Sequence, residues 1–288
     1  MSKVDVGGVS LYYEETGNGQ PIVFVHGIPT DCRAWGAQVE PFSKGRKMFA
    51  VSRRYAAPNV REGDVSDSTV QNNAADLKGF IEKAAGGPVD LVGHSYGGFI
   101  SAFLAADHPD LVRKLVLVEP AISTLLVADQ TSSIQSLGLL FRSPSVALSG
   151  RRFQTGSLAP SLKALDEGQV EKAVELNVDG VQDSMGAFRR LSEGARRMML
   201  DNARTIAELR TRFPRFTDKE AGRISSATLV VNGQESALWL RRIGELTAQA
   251  IPKARRVTVP GARHFPHMEN PEVFNSNVSD FLEGKTKQ

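Results

Sequence analysis

The chain has 288 residues, 41% of them hydrophobic and 23% charged, and a formal net charge of +3. That length can bury a full core and that balance is typical of soluble globular proteins, while no apolar run is long enough to cross a bilayer. The arginines fall in scattered pairs (53-54, 151-152, 189-190, 196-197, 241-242 and 255-256) without aromatic interleaving, so they read as solvated faces and argue against nucleic-acid binding.

At the N-terminus, Met1-Ser2-Lys3-Val4-Asp5 lacks the apolar core of a signal peptide, which sets the expectation of a cytoplasmic chain. β-rich runs follow at 9–13, 22–25, 48–52, 89–92, 115–118, 228–231 and 257–259, with helix-like segments such as 69–85 and 239–250 between most of them. This alternation predicts an α/β fold with right-handed crossovers and a mostly parallel sheet covered on both faces. Leu11 and Tyr13 alternate in the first run, which predicts an antiparallel hairpin at the sheet edge. Cys32 is the single cysteine, so no intrachain disulfide forms; it reads as a small, half-buried residue near a pocket loop.

The most informative segment is Gly93-His94-Ser95-Tyr96-Gly97-Gly98. It follows the apolar run Val89-Asp90-Leu91-Val92 and precedes a stretch from Phe99 to Ala106 with helical spacing, which Pro109 ends. A Gly-x-Ser-x-Gly turn between a strand and a helix is a nucleophile elbow, and it lifts the serine hydroxyl above the sheet edge. Glycines two positions either side of Ser95 leave room for so tight a turn.

Between about residues 124 and 223 the strand signal vanishes, and short helices are expected around 134–141, 168–178, 184–191 and 193–209. This divides the chain into core (1–123), helical cap (124–223) and core (224–288), the cap lying over the carboxyl ends of the strands. Met185, Met198 and Met199 would suit an adaptable apolar lining there, but read first as plain core packing.

A serine hydroxyl needs a base and an orienting acid to become a nucleophile. The last strand is followed by Pro260-Gly261-Ala262-Arg263-His264, which offers His264 as the base, nearer the strand end than its competitor His267. His267 is expected to pack or to cap the helix after Asn270-Pro271, His108 to sit at a helix end, and His94 to belong to the elbow. Two backbone N–H groups should hold an oxyanion: that of Tyr96, after the nucleophile, and that of Ile28 in the loop His26-Gly27-Ile28-Pro29. Pro29 has no N–H to give, and His26 shapes the loop.

Together, Phe24-Val25-His26-Gly27-Ile28-Pro29, the Ser95 elbow and Pro260–His264 resemble the α/β-hydrolase superfamily across nearly the whole chain. The resemblance implies a cofactor-free, metal-free hydrolase of small-molecule esters, lactones or thioesters, and also brings carbon–carbon bond hydrolases into range. Two departures stand out. Where many relatives carry an Asp-x-x-Gly-x-Gly turn this chain reads Ser52-Arg53-Arg54-Tyr55, which implies a more basic entrance. The usual position of the triad acid, three residues after Gly233, is Ser236. Glu235 is adjacent, but Glu119 at the end of Leu115-Val116-Leu117-Val118 is the better choice, because some superfamily members place the acid there. A carboxylate at an apolar strand tip is costly unless paired.

Haloalkane dehalogenases and epoxide hydrolases share a similar first loop but would need Asp in place of Ser95, and ring-cleavage hydrolases a Gly-Pro-Gly-rich loop. Cofactor-independent oxygenases or lyases, and ligand-binding receptors, reuse this fold and are the rival readings. The expectation is a serine hydrolase with Ser95, His264 and Glu119 as its triad.

Overall fold

The computed structural model describes residues 2–59, 63, 65–129 and 131–285; Met1 and residues 286–288, the outer ends of the two expected core segments, lie outside them. Eight strands form one sheet: β1 (Ser2–Val6), β2 (Val9–Thr16), β3 (Gln20–Val25), β4 (Arg46–Val51), β5 (Val89–His94), β6 (Val112–Val118), β7 (Ala227–Gly233) and β8 (Ala254–Val259). Their spatial order is β1-β2-β4-β3-β5-β6-β7-β8. β1 and β2 form the expected antiparallel edge hairpin, β2 runs antiparallel to β4, and all other pairings are parallel. β1 escaped the sequence reading because its pattern is weak: only Val6 of its five residues is buried.

Helices α1 (Gly36–Ser43), α2 (Val70–Phe80) and α3 (Tyr96–Asp107) follow β3, β4 and β5. Between β6 and β7 come α4 (Ser133–Arg142), α5 (Pro144–Phe153), α6 (Ala159–Asp166), α7 (Val170–Val181), α8 (Ala187–Arg190), α9 (Glu193–Asp201) and α10 (Asp218–Ala221). α11 (Leu238–Ala250) precedes β8, and α12 (Pro266–Glu269) and α13 (Pro271–Glu283) close the chain. The insertion holds more helices than the four expected, α5 and α6 among the additional ones. Pro144 and Pro160 stand in the first turns of these two, where a missing N–H costs nothing.

Strand side chains alternate between two cores. Leu115 and Leu117 join the cluster under α2, α3 and α11, whereas Val116 and Val118 join the one under α1 and α13. Each buried aliphatic side chain contributes roughly 1.5–3 kcal/mol of transfer free energy. The insertion joins the first cluster through Val174, Val178, Phe188, Met198 and Ile206.

The connection from β3 turns outward to β4, and that from β5 turns the other way to β6, so the strand order reverses between β3 and β5. Open α/β sheets bind ligands at such a reversal, beyond the carboxyl ends of the strands. Register brings these ends into line, with Val25 opposite Gly93, His94 opposite Val118, Val118 opposite Val231 and Gly233 opposite Val259.

Candidate active site

Ser95 sits between β5 and α3 with φ +53° and ψ −116°, a region where only the surrounding structure can hold a serine. A side chain on Gly97 would strike the Val25 and His26 carbonyl oxygens, and one on Gly93 would strike the Ser101 hydroxyl. The Ser95 N–H donates to the Val118 carbonyl at 2.9 Å, and its own carbonyl accepts from the Phe99 and Ala121 N–H groups at 3.1 Å. The turn is thereby locked, and the Ser95 hydroxyl lies at the positive end of α3.

His264 Nε2 lies 3.0 Å from Ser95 Oγ, and both residues are buried. Two contacts fix the histidine backbone: His94 Nε2–H donates to its carbonyl at 2.8 Å, and its N–H donates to Gln182 Oε1 at 2.8 Å. Gln182 follows α7 and carries no motif, so nothing in the sequence marked it.

Glu119, also fully buried, turns at φ +48°, and its N–H donates to the Val231 carbonyl at 2.8 Å. Oε1 accepts three hydrogen bonds, from Gly233 N–H at 2.6 Å, Ser236 Oγ at 2.8 Å and Asn232 Nδ2 at 3.0 Å. Oε2 faces His264 Nδ1 at 3.5 Å, and neither atom has a hydrogen-bond partner. The three donors offset the desolvation of a carboxylate at an apolar strand tip. Glu235, the alternative acid, turns to solvent and pairs with Arg263 Nη2 at 3.0 Å.

His267 packs and does not cap; its ring lies 4.4 Å from that of Trp35, tilted by 34°, and Asn270 caps α13. Burial, and then the neighbouring His264, push its pKa down to about 3. His108 ends α3, as expected. Cys32 is more deeply buried than expected, and burial pushes its thiol up to about 11.

Ile28 and Tyr96, the expected oxyanion donors, line one cavity with Ser95 and His264. The Gly27 carbonyl accepts from His26 Nδ1–H at 2.8 Å, Thr30 Oγ1 at 3.1 Å and Thr30 N–H at 3.3 Å. In a trans peptide the N–H points opposite the carbonyl, so these bonds also set the direction of Ile28 N–H. Tyr96 opens α3, and its N–H has no partner within the helix.

The basic entrance expected at Arg53-Arg54 is not there; both arginines point inward and are buried. Arg53 Nη1 pairs with Glu208 Oε2 at 2.6 Å, its Nε donates to the His26 carbonyl at 3.2 Å, and its guanidinium stacks 5.0 Å from the Tyr96 ring. Arg53 N–H also donates to His26 Nε2 at 3.0 Å. Arg54 forks onto Asp76 at 2.8 and 2.9 Å and reaches Asp67 at 3.0 Å. The reading as solvated faces fails for this pair because its counter-ions lie far along the chain. Burial, and then Arg53, hold His26 well below its ordinary pKa; burial raises the Glu208 carboxyl while Arg53 opposes the rise.

The cavity measures about 160 Å³, and insertion residues Leu158, Asn177, Val181, Leu209 and Phe213 form much of its wall. Among the described residues no methionine lines it: Met198 and Met199 are core residues, and Met185 is exposed on the surface. Those thioethers fall on other helix faces. Among the described residues there is no cluster of His, Cys, Asp or Glu able to hold a metal ion, and no helix long and apolar enough to cross a membrane.

Ser95, His264 and Glu119 are thus brought together beside Ile28 and Tyr96, the residue types that acyl transfer uses. Over 98% of its length the chain is 28% identical to the 2-(acetamidomethylene)succinate hydrolase of Mesorhizobium japonicum, covering 94% of that protein. It is 25% identical to the pyrrolizixenacetamide deacetylase of Xenorhabdus hominickii, covering 98% of each chain. In fold it is similar to a thermophilic esterase from Thermogutta terrifontis, with TM-score 0.68, 23% identity and full coverage of both chains. The family model of the alpha/beta hydrolase fold matches residues 20–271, and the chain belongs to that family.

Proposed function

We propose that this protein is a serine hydrolase that cleaves a carboxylic ester, lactone or thioester through an acyl-enzyme. The observation that carries the reading is the 3.0 Å contact between Ser95 Oγ and His264 Nε2, with Glu119 behind the imidazole. His264 takes the Ser95 proton as the oxygen attacks the carbonyl carbon. Negative charge develops on the carbonyl oxygen, which Ile28 N–H and Tyr96 N–H hold; each such donor is worth about 10²–10³ in rate. The tetrahedral intermediate collapses, and His264 protonates the departing alcohol or thiol. Water then repeats the sequence to release the acid and free Ser95. Glu119 keeps the imidazole oriented and stabilises its charged form. The helices over 124–223 act as a cap that shapes the acyl pocket. The names of the two sequence relatives, a hydrolase and a deacetylase, support the general reaction class.

The test is steady-state hydrolysis of short-chain esters. Ser95→Ala should lower kcat by at least about 10⁴-fold with the far-ultraviolet spectrum unchanged. Wild-type rates in that variant would exclude the assignment. Oxygen uptake without ester turnover would favour the oxygenase alternative.

A further inference from the structure

The buried residues of α7 form one stripe: Ala173, Val174, Asn177, Val178 and Val181. Asn177 therefore occupies a position the helix otherwise gives to small or aliphatic side chains. It is 3% exposed, and it lines the cavity that contains Ser95 and His264. No described residue hydrogen-bonds its carboxamide, and neither amide atom is sealed off from the cavity. The other buried asparagines differ, since Asn73, Asn202 and Asn232 each donate to a protein oxygen. An amide turned to the cavity without a protein partner is free to meet a ligand, and packing alone gives no reason for it on an apolar stripe.

Charge narrows what could meet it. Among the described residues lining the cavity there is no Lys, Arg, Asp or Glu. A carboxylate in the acyl group would lose its hydration with no cation to receive it. Size narrows it further: about 160 Å³ is small beside the roughly 300–1,000 Å³ of drug-sized sites. Asparagine offers both a donor and an acceptor, the complement of a secondary amide.

We infer that the acyl side of the substrate is compact, uncharged and amide-bearing, and that Asn177 is the residue that recognises the amide. This rests on the reading of Ser95 as the acylated residue.

The experiment compares three ethyl esters of similar length: ethyl N-acetylglycinate, ethyl pentanoate and monoethyl succinate. The expected kcat/KM is highest for the N-acetylglycinate, by about tenfold or more over the pentanoate, and lowest for the succinate. Asn177→Leu should bring the N-acetylglycinate-to-pentanoate ratio close to one. Asn177→Ser, which keeps a shortened donor and acceptor, should give an intermediate ratio and serves if the leucine variant does not fold. A wild type that favours pentanoate or succinate overturns the inference, as does a ratio that neither variant moves. Labelling of Ser95 by a fluorophosphonate without turnover of the amide ester overturns the inference alone. Absence of both labelling and turnover overturns the hydrolase reading, and the inference with it.

Discussion

Ser236 Oγ donates a 2.8 Å hydrogen bond to Glu119 Oε1, across 117 residues of sequence. Ser236 occupies the place where the resemblance led us to look for the triad acid. Glu119 comes to the same imidazole from the neighbouring strand β6, and the serine left at the usual position acts as one of its three donors.

Charge neutralisation should separate the two glutamates. Glu119→Gln should lower kcat for ester hydrolysis by about 10³–10⁴-fold, because the amide cannot stabilise the imidazolium. Glu235→Gln should stay within about twofold, since an exposed ion pair contributes little. The opposite ranking in steady-state kinetics would transfer the acid role to Glu235. Ser236→Ala, which removes one donor to a buried carboxylate, should destabilise by about 1–3 kcal/mol in urea titration.

A second prediction concerns the buried pair Arg53–Glu208, which joins the insertion to the loop carrying Ile28. Arg53→Met leaves the Glu208 carboxylate buried without its partner and should cost about 3–5 kcal/mol of stability. Arg53→Met/Glu208→Leu should recover most of that loss, because an apolar pair of similar volume carries no desolvation penalty. Arg53 Nε also donates to the His26 carbonyl, a bond methionine cannot make, so both variants should lower kcat even where stability returns. A double variant as active as wild type would show that the oxyanion loop holds its shape unaided.

Stability should also fall in acid. Burial depresses His26, His94 and His267 in the folded state, His267 to about 3 from an ordinary 6.5. Below about pH 6.5 the unfolded chain binds these protons and the folded chain does not, so their contribution is complete above 6.5 and is lost as pH falls toward 3. Each histidine should give a slope of up to about 1.4 kcal/mol per pH unit. Glu208 has the opposite sign: burial raises its carboxyl, so stability from this one group falls as pH rises past the ordinary carboxylate range. The net expectation is a urea midpoint that climbs from pH 4.5 to 6.5, with a shallower climb in His267→Phe. A flat profile would mean that these rings are solvated when folded.

Much of this was legible in the sequence. Strand and helix alternation gave the layered sheet, and the Gly93–Gly98 turn, the His26–Pro29 loop and the late His264 survive folding as neighbours because their strands end in register. What was hidden depended on side chains meeting across long separations. Arg53 and Arg54 look like surface charges until Glu208, 155 residues on, and Asp76, 22 residues on, reach them. Gln182 and Ser236 are ordinary residues that matter through a single contact each. Asn177 left one faint signal, a polar residue on the apolar stripe of α7.

Activation of the Ser95 hydroxyl is tested most directly by intact-mass and peptide mapping after treatment with a fluorophosphonate. One adduct per chain is expected, on Ser95, absent in Ser95→Ala and slowed by at least about 10³-fold in His264→Ala. An unmodified Ser95 in folded wild-type protein, or equal labelling with and without His264, would contradict it.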